Sequence, residues 1–294
     1  MAMRSWLFVP GDSQVKLDKV AGIGADVVIV DLEDAVAPPA KPTARTLAKS
    51  FLETHGRQLL VGRSFARWVR INPLDTPLWR EDLAAIMPGR PDGIMVPKAA
   101  GPEQLQVLAA ELAQFEQRNG MQPGATRILP LVSETPAAAL GIAAYASAGQ
   151  PRLAGLTWGA EDLSAAIGAS RKRDPQGRWT DTFRYVRAQV LLTAHARGVM
   201  PIDTLHADFR DLDGLKHIAA ESYADGFAGM LAIHPGQVAV INAAFTPGED
   251  EIAHAREIVN AFSANPGAGA LSLDGKMIDQ PHLEQARRLL ASLR

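Results

Sequence analysis

The hydrophobic pattern of the chain alternates between short apolar runs and longer segments with helical spacing. A run such as Val27-Val28-Ile29-Val30 lacks the alternation of a strand with one exposed face, and this continuity is typical of a strand covered on both faces. The pattern therefore predicts eight buried strands, at Trp6–Val9, Val27–Asp31, Trp68–Ile71, Gly93–Val96, Ile128–Val132, Leu153–Trp158, Val199–Ile202 and Phe227–Ile233.

The longer segments between these runs predict amphipathic helices. In Glu103–Phe115, for example, Leu105, Leu108 and Leu112 share one helical face, and Phe183–His195 has similar spacing. Regular alternation of strands and helices is typical of a parallel sheet. Eight such units, and the lack of a Gly-x-Gly-x-x-Gly turn after an early strand, favour a closed (β/α)8 barrel, the TIM barrel, over an open dinucleotide-binding sheet.

The C-terminal part of the chain departs from this rhythm. Asn265–Gly269 interrupts the pattern after the last amphipathic helix of the eight units, and a further helix is predicted at Leu283–Leu293. We therefore expect a TIM-barrel domain over residues 1–264 and a C-terminal helical extension over residues 265–294.

Composition narrows the functional classes. Hydrophobic residues make up 47% of the 294, enough for a large core, and 30 basic side chains stand against 32 acidic ones with no long block of either sign. We therefore expect no nucleic-acid partner. The chain has no cysteine, which excludes disulfides, a thiolate nucleophile and cysteine-bound metal. Its apolar runs are too short for a membrane span or a signal-peptide core, so we expect a cytoplasmic protein without a membrane partner.

The informative polar residues of a barrel stand at the C-terminal ends of its strands, because active sites form at that rim. Every predicted strand after the first brings an ionisable residue there. In chain order these are Asp31, Glu33 and Asp34, then Arg70, Lys98, Glu134, Asp162, Asp203 and His234.

Glu134 and Asp162 follow consecutive strands, so their carboxylates are predicted to be neighbours. Two carboxylates, completed by water and substrate oxygens, are the usual way in which a protein holds Mg²⁺, and the ion would polarise a carbonyl and stabilise an enolate. A structural interpretation stays open for both residues. Glu134 is also placed as an acid at the start of the following helix, and Asp162 as the N-cap of the next one.

Arg70 ends the third predicted strand and has two interpretations of equal weight. It can hold a carboxylate of the substrate in bidentate fashion, or it can form a structural salt bridge with Asp31, Glu33 or Asp34. In either case we expect Glu33 and Asp34 to orient the residues of the site rather than to bind the metal themselves.

The sequence lacks the motifs of several other reactions. It contains no nucleophile elbow, P-loop, His-Glu-x-x-His helix or EF-hand loop, which argues against acyl hydrolysis, phosphoryl transfer and zinc proteolysis. Lys98 leaves a Schiff base open, although the surrounding carboxylates fit a metal better. For His234 we favour a structural turn over a general base.

The ordered motifs carry a family resemblance. Over essentially its whole length the chain resembles citrate lyase β-subunits and malyl-CoA lyases, within the HpcH/HpaI aldolase and citrate lyase superfamily. The motifs concerned are RSWLFVPGD, DLEDAV, VRIN, GIMVPK, LVSETP, LTWGAEDLSAAIGA, PIDTLHADFRDLDGL, GFAGMLAIHPGQ and GKMIDQPHLEQA.

The resemblance implies roles for individual residues. Glu134 and Asp162 would be the Mg²⁺ ligands, and Arg70 would bind the carboxylate or keto group of the substrate. Arg4 would contact the thioester part or the CoA phosphates. Asp279 would act as an acid or base in the site of a neighbouring subunit, which the C-terminal extension would cover in a homotrimer or hexamer.

The reaction implied by the resemblance is the Mg²⁺-dependent cleavage of a 3-hydroxyacyl-CoA to an acyl-CoA and a 2-oxo acid. Citryl-CoA, malyl-CoA and citramalyl-CoA are substrates of this type, and coenzyme A enters as part of the substrate. Two alternatives stay open. One is a class II 2-oxo-acid aldolase that works without CoA, and the other is a non-catalytic or complex-bound subunit of the citrate lyase β type.

Overall fold

The computed structural model describes residues 3–56, 65–147 and 149–293. These residues form two compact units, one spanning Met3–Ala243 and the other starting at Ala244. The first unit contains the strands β1 (Ser5–Pro10), β2 (Val27–Asp31), β3 (Ala66–Arg70), β4 (Gly93–Val96), β5 (Arg127–Pro130), β6 (Gly155–Thr157), β7 (Met200–Asp203) and β8 (Gly229–Ala232). Its helices are α1 (Gln14–Val20), α2 (Lys41–Thr54), α3 (Leu78–Ile86), α4 (Pro102–Arg118), α5 (Pro136–Gly141), α6 (Ala160–Ile167), α7 (Asp181–Arg197), α8 (Leu212–Asp225) and α9 (Pro235–Ala244).

The eight strands form one parallel sheet in the order β5-β4-β3-β2-β1-β8-β7-β6. Isolated bridges from Ile128 to Leu153 and from Leu131 to Thr157 connect β5 to β6, so the sheet closes on itself. Helices lie between consecutive strands along the chain. The predicted (β/α)8 barrel is therefore confirmed, and each predicted strand overlaps an observed one.

Large apolar side chains fill the interior of the barrel. Trp6 and Trp68 meet edge to face with ring centroids 5.0 Å apart, in a buried cluster that includes Met95 and Leu129. Gly93 of β4 is required beside them, because a Cβ atom at that position would lie 2.4 Å from the Trp68 ring. A filled interior leaves the ends of the strands as the place for chemistry.

A buried ion pair fixes the starts of β5 and β6, the strands that lead to the predicted metal ligands. Arg152, just before β6, donates to both carboxylate oxygens of Glu116 at 2.6 and 2.7 Å. Glu116 also accepts hydrogen bonds from the backbone N–H groups of Gly124 and Thr126, before β5. Burial raises the pKa of Glu116, but these hydrogen bonds outweigh burial and hold the pKa below its usual value.

We expect Glu116→Gln to lower the free energy of unfolding at pH 7 by about 3 kcal/mol, because it leaves Arg152 buried without its charge partner. Since folding lowers the pKa of Glu116, the carboxylate stabilises the fold above its unfolded pKa, and this contribution is lost as the pH falls through the folded pKa. Urea unfolding at pH 7 and at acid pH measures both effects.

The difference in free energy of unfolding between the unsubstituted protein and Glu116→Gln should therefore decrease in acid. A difference that stays constant with pH would contradict the stabilising role of the ionised Glu116. The control is Glu111→Gln on the same helix. Glu111 pairs with the exposed Arg80, so its loss should cost less than about 1 kcal/mol.

The second unit consists of two helices and a hairpin. Helix α10 (Glu249–Ala264) is followed by the antiparallel strands β9 (Ala270–Leu273) and β10 (Lys276–Asp279) and then by α11 (Gln280–Ser292). Its buried apolar cluster comprises Ala255, Ile258, Phe262, Ile278, Leu283 and Ala286. Across the described ranges of both units, no helix combines the length and apolar character needed to cross a membrane.

The boundary between the units differs from our expectation. We expected the extension to start at residue 265, whereas the second compact unit starts at Ala244 and includes α10. In the sequence, α10 resembles one more amphipathic barrel helix, but Ile258 and Phe262 on this helix share a buried cluster with Leu283 of α11. The hairpin was not predicted, because most positions of its two strands are exposed or half-buried and show no clear apolar run.

Candidate active site

A cavity of about 210 Å³ opens at the C-terminal ends of the barrel strands. Four residues that the sequence singles out line it together, namely Asp31, Arg70, Glu134 and Asp162. Other strand ends and loops complete the walls, including Phe8, Trp158, Gly159, Glu161, Thr204 and Leu205.

Glu134 lies in the loop between β5 and α5 and is 4% exposed. The side chain of Thr135, and not Glu134, caps α5 by accepting from the N–H of Ala138 at 3.2 Å. Glu134 Oε2 instead accepts a short hydrogen bond from the backbone N–H of Lys98. Burial, together with the charges of Asp162 and Glu33, raises the pKa of Glu134 to about 8. A buried carboxylate in this state is one that a cation would stabilise.

Asp162 lies in the first turn of α6, and its side chain is 36% exposed. The N-cap of α6 is Gly159, so the interpretation of Asp162 as an N-cap is wrong. Its carboxylate faces the same cavity as Glu134, and Oδ1 lies 3.9 Å from Nζ of Lys98.

Gly159 provides the space in which Glu134 sits. A Cβ atom at position 159 would lie 3.0 Å from Cγ and 3.1 Å from Oε1 of Glu134, closer than side chains normally approach. The N–H of Gly159 donates to Oγ of Ser133 at 3.2 Å, which holds the two loops together. Residue 159 therefore controls the position of the predicted metal ligand.

We expect Gly159→Ala to weaken Mg²⁺ binding by about tenfold or more, because the added methyl group displaces the Glu134 carboxylate. Isothermal titration calorimetry with Mg²⁺ alone measures this effect. Gly141→Ala is the control, since a Cβ atom at position 141 meets nothing within 4 Å. Equal affinities in the two variants would show that Gly159 does not set the position of Glu134.

The chemistry of these donors fits Mg²⁺. The described residues contain no group of three or more histidine, aspartate, glutamate or cysteine side chains that could enclose a metal. Mg²⁺ needs no such cage, because it usually binds one or two carboxylates and fills the remaining positions with water and substrate oxygens. Glu134 and Asp162 at the wall of an open cavity match this requirement.

Arg70 forms the predicted salt bridge and also lines the cavity, while its binding of a substrate carboxylate stays a prediction. Its Nε and Nη2 donate to Asp31 at 2.7 and 2.6 Å, and Nη1 lies 3.0 Å from Glu33 Oε2. The guanidinium also lies 4.8 Å from the centre of the Phe8 ring and lines the cavity. Since a guanidinium has five N–H donors, these contacts leave about two that can face a ligand.

Lys98 connects Glu33 and Asp34 to the two predicted metal ligands. Its Nζ donates a short hydrogen bond to the buried Glu33 and lies 3.1 Å from the exposed Asp34. Burial lowers the pKa of Lys98, but these two carboxylates outweigh burial and raise the pKa above its usual value. A Schiff base requires a neutral amine, so this environment argues against that mechanism.

Arg4 lies at the opposite end of the barrel. It precedes β1, and its guanidinium pairs with Asp26, which precedes β2, at 2.8 Å. Because parallel strands place their starts and ends at opposite rims, Arg4 is a strand length away from the cavity. The structure does not bring Arg4 together with the other predicted site residues, and its contact with the thioester or the CoA phosphates stays a prediction.

Asp279 belongs to the second unit, where it ends β10 and caps α11. One carboxylate oxygen lies 2.5 Å from Nδ1 of His282, and the N–H of Asp279 lies 3.2 Å from the same nitrogen. The carboxylate is about one third exposed. Its role in a neighbouring subunit stays a prediction.

His234 follows β8 and makes local contacts. Its Nδ1 accepts from the N–H of Gly236 at 3.1 Å, and its ring stacks on Phe209 with centroids 4.9 Å apart. These contacts are those of a structural turn.

Sequence reasoning missed the support of the cavity wall at Trp158. The indole Nε1 of Trp158 donates to Asp203 at 2.7 Å, and Asp203 pairs with Arg187 at 2.9 Å. Trp179 packs against the same indole with centroids 5.1 Å apart. Asp203 was singled out only as a residue at a strand end, and nothing in the spacing indicated that it faces the helix layer.

A closed barrel with two carboxylates and an arginine at its C-terminal mouth has the arrangement of a TIM-barrel enzyme, whose active site lies at that face. Residues 4–235 match the model of the HpcH/HpaI aldolase/citrate lyase family, and the chain belongs to that family.

Relatives of known name match over nearly the whole chain. The mitochondrial citramalyl-CoA lyase of Rattus norvegicus is 33% identical, over 98% of this chain and 85% of that protein. The L-malyl-CoA/beta-methylmalyl-CoA lyase of Cereibacter sphaeroides is 33% identical, over 96% and 92%. The crystal structure of protein CitE from Mycobacterium tuberculosis in complex with magnesium, acetoacetate and coenzyme A has a TM-score of 0.78 at 34% identity, and covers 99% of this chain and 97% of that one.

Proposed function

We propose that this protein is a Mg²⁺-dependent carbon–carbon lyase that cleaves a 3-hydroxyacyl-CoA into an acyl-CoA and a 2-oxo acid. The observation that carries the proposal is that Arg70, Glu134 and Asp162 line one cavity at the mouth of a family barrel. Relatives named as citramalyl-CoA and malyl-CoA lyases support this substrate class.

The residues divide the work of a retro-Claisen cleavage. Glu134 and Asp162 hold the ion, which when bound supplies a Lewis acid to an oxygen of the substrate. Arg70 binds the carboxylate or the emerging keto group and stabilises the negative charge that develops there. Its partners Asp31 and Glu33 keep the guanidinium in one orientation toward the cavity.

The cleavage moves two protons and one electron pair. A base takes the hydroxyl proton, and the bond between the hydroxyl-bearing carbon and the α-carbon of the thioester breaks. The electron pair of that bond moves to the acyl-CoA as an enolate, and the hydroxyl-bearing carbon becomes the keto group. Asp279 of a neighbouring subunit then returns a proton to the α-carbon, as a general acid. This role requires an oligomer, and we propose a homotrimer or hexamer in the cytoplasm.

We expect release of a 2-oxo acid when the protein is incubated with Mg²⁺ and citramalyl-CoA, malyl-CoA or citryl-CoA, and loss of that release with EDTA. Asp162→Asn should lower kcat/KM by at least about 100-fold, because it removes a ligand charge from the ion. Asp181→Asn is the matched control, since Asp181 is also an acid in the first turn of its helix, pairs with the exposed Arg184 and does not line the cavity. Silence on every thioester, with activity on free 2-oxo-acid aldols, would replace this proposal by a CoA-independent aldolase.

The role of Asp279 has a separate test. Asp279→Asn keeps a good helix cap on α11 and should leave Mg²⁺ affinity unchanged, while lowering kcat by about 100-fold or more. Calorimetry and turnover measure the two effects. Asp274→Asn is the control, because Asp274 lies in the hairpin turn with a φ of 51°, which asparagine also tolerates.

Mixing the inactive Asp279→Asn and Asp162→Asn variants should restore activity in mixed oligomers, because each subunit then supplies what its neighbour lacks. Mixed oligomers that remain inactive would place Asp279 outside the neighbouring site.

A further inference from the structure

Lys98 has an unusual backbone conformation beside the candidate metal centre. Its φ is 49°, in the left-handed region that residues other than glycine rarely adopt. Two other described non-glycine residues share a positive φ, Arg90 and Asp274. Arg90 lies before β4, at the opposite end of that strand from Lys98, and Asp274 lies in the hairpin turn of the second unit. Lys98 thus combines a strained backbone with a position at the candidate site.

This conformation lets one residue reach both predicted metal ligands. The backbone N–H of Lys98 donates to Oε2 of Glu134, and the ammonium lies 3.9 Å from Oδ1 of Asp162. The hydrogen bond fixes one carboxylate oxygen of Glu134 and leaves Oε1 to face a ligand. Partners of this kind set the orientation of metal ligands and are worth about 10- to 100-fold in metal affinity.

The side chain of Lys98 holds the backbone in place. The ammonium pairs with Glu33, which is 3% exposed, and with Asp34, so two carboxylates anchor the side chain. A left-handed conformation is unfavourable for a residue that carries a side chain, and it persists only where surrounding contacts determine it. The two ion pairs are such contacts.

We propose that Lys98 is a positioning residue for the metal centre. Its left-handed backbone, anchored by Glu33 and Asp34, directs the N–H group at Glu134 and presets that carboxylate for Mg²⁺. The inference rests on the proposed function, because it requires Glu134 and Asp162 to be the ligands.

The test compares Lys98→Gly with Lys98→Val. Both remove the ammonium, so charge is matched, but glycine adopts a positive φ freely and β-branched valine resists it. By calorimetry with Mg²⁺ alone, we expect Lys98→Val to bind at least about tenfold more weakly than Lys98→Gly. Lys98→Asn should behave like Lys98→Gly, since asparagine tolerates the left-handed region. Equal Mg²⁺ affinities in the glycine and valine variants would overturn the inference.

Thermal unfolding of each variant establishes that it is folded. If Lys98→Val does not fold, Lys98→Ala replaces it, because alanine still disfavours a positive φ, and its affinity should again fall below that of Lys98→Gly. Glu134→Gln tests the metal site itself, separately from the role of Lys98. Unchanged Mg²⁺ affinity in Glu134→Gln would remove the metal site and with it the role of Lys98. A glycine–valine difference in a protein that cleaves no acyl-CoA would contradict the proposed reaction and leave the role of Lys98 supported.

Discussion

The candidate site depends on an excess of carboxylates over cations at the mouth of the barrel. In the described residues, two cations face five acidic side chains that lie within one connected network. The cations are Arg70 and Lys98, and the acids are Asp31, Glu33, Asp34, Glu134 and Asp162. Both cations are already paired with carboxylates other than Glu134, so acidic groups remain in excess at the cavity. A divalent cation at the cavity is the natural complement of that excess.

Backbone geometry determines where the carboxylate of Glu134 lies. Glu134 occupies space that exists because residue 159 has no side chain, and its carboxylate is oriented by the N–H of Lys98. At the opposite rim, Arg152 and Glu116 fix where β5 and β6 begin, and the register of these strands then fixes where the two metal-ligand loops leave the barrel. The position of Glu134 is therefore set by its contacts with Gly159 and Lys98 and by the ion pair that fixes the start of β5 at the opposite rim.

The sequence predicts the part of this arrangement that follows from periodicity. Unbroken apolar runs gave the eight strands, and the rule that barrel chemistry stands at strand ends selected Arg70, Glu134 and Asp162, which do line one cavity. The position of Arg4 at the opposite rim was not predicted, because a motif match does not show which rim of the barrel a residue occupies. The contact of Trp158 with Asp203 joins residues 45 positions apart through side-chain direction alone, and spacing carries no information on that. The positive φ of Lys98 is equally hidden, since lysine has no preference for the left-handed region.

The proposed metal centre, with two protein carboxylates, has a further consequence for the reaction. Mg²⁺ held by Glu134 and Asp162 would take further oxygen ligands from substrate, and bound substrate would then stabilise the ion. By linkage, the ion increases the affinity for substrate by the same factor. The raised pKa of Glu134 fits this dependence, because the buried carboxylate is costly without a cation and favourable with one. In the proposed site, the protein therefore orients the two carboxylates. The ion would supply the missing positive charge, and the substrate would supply the remaining oxygen donors.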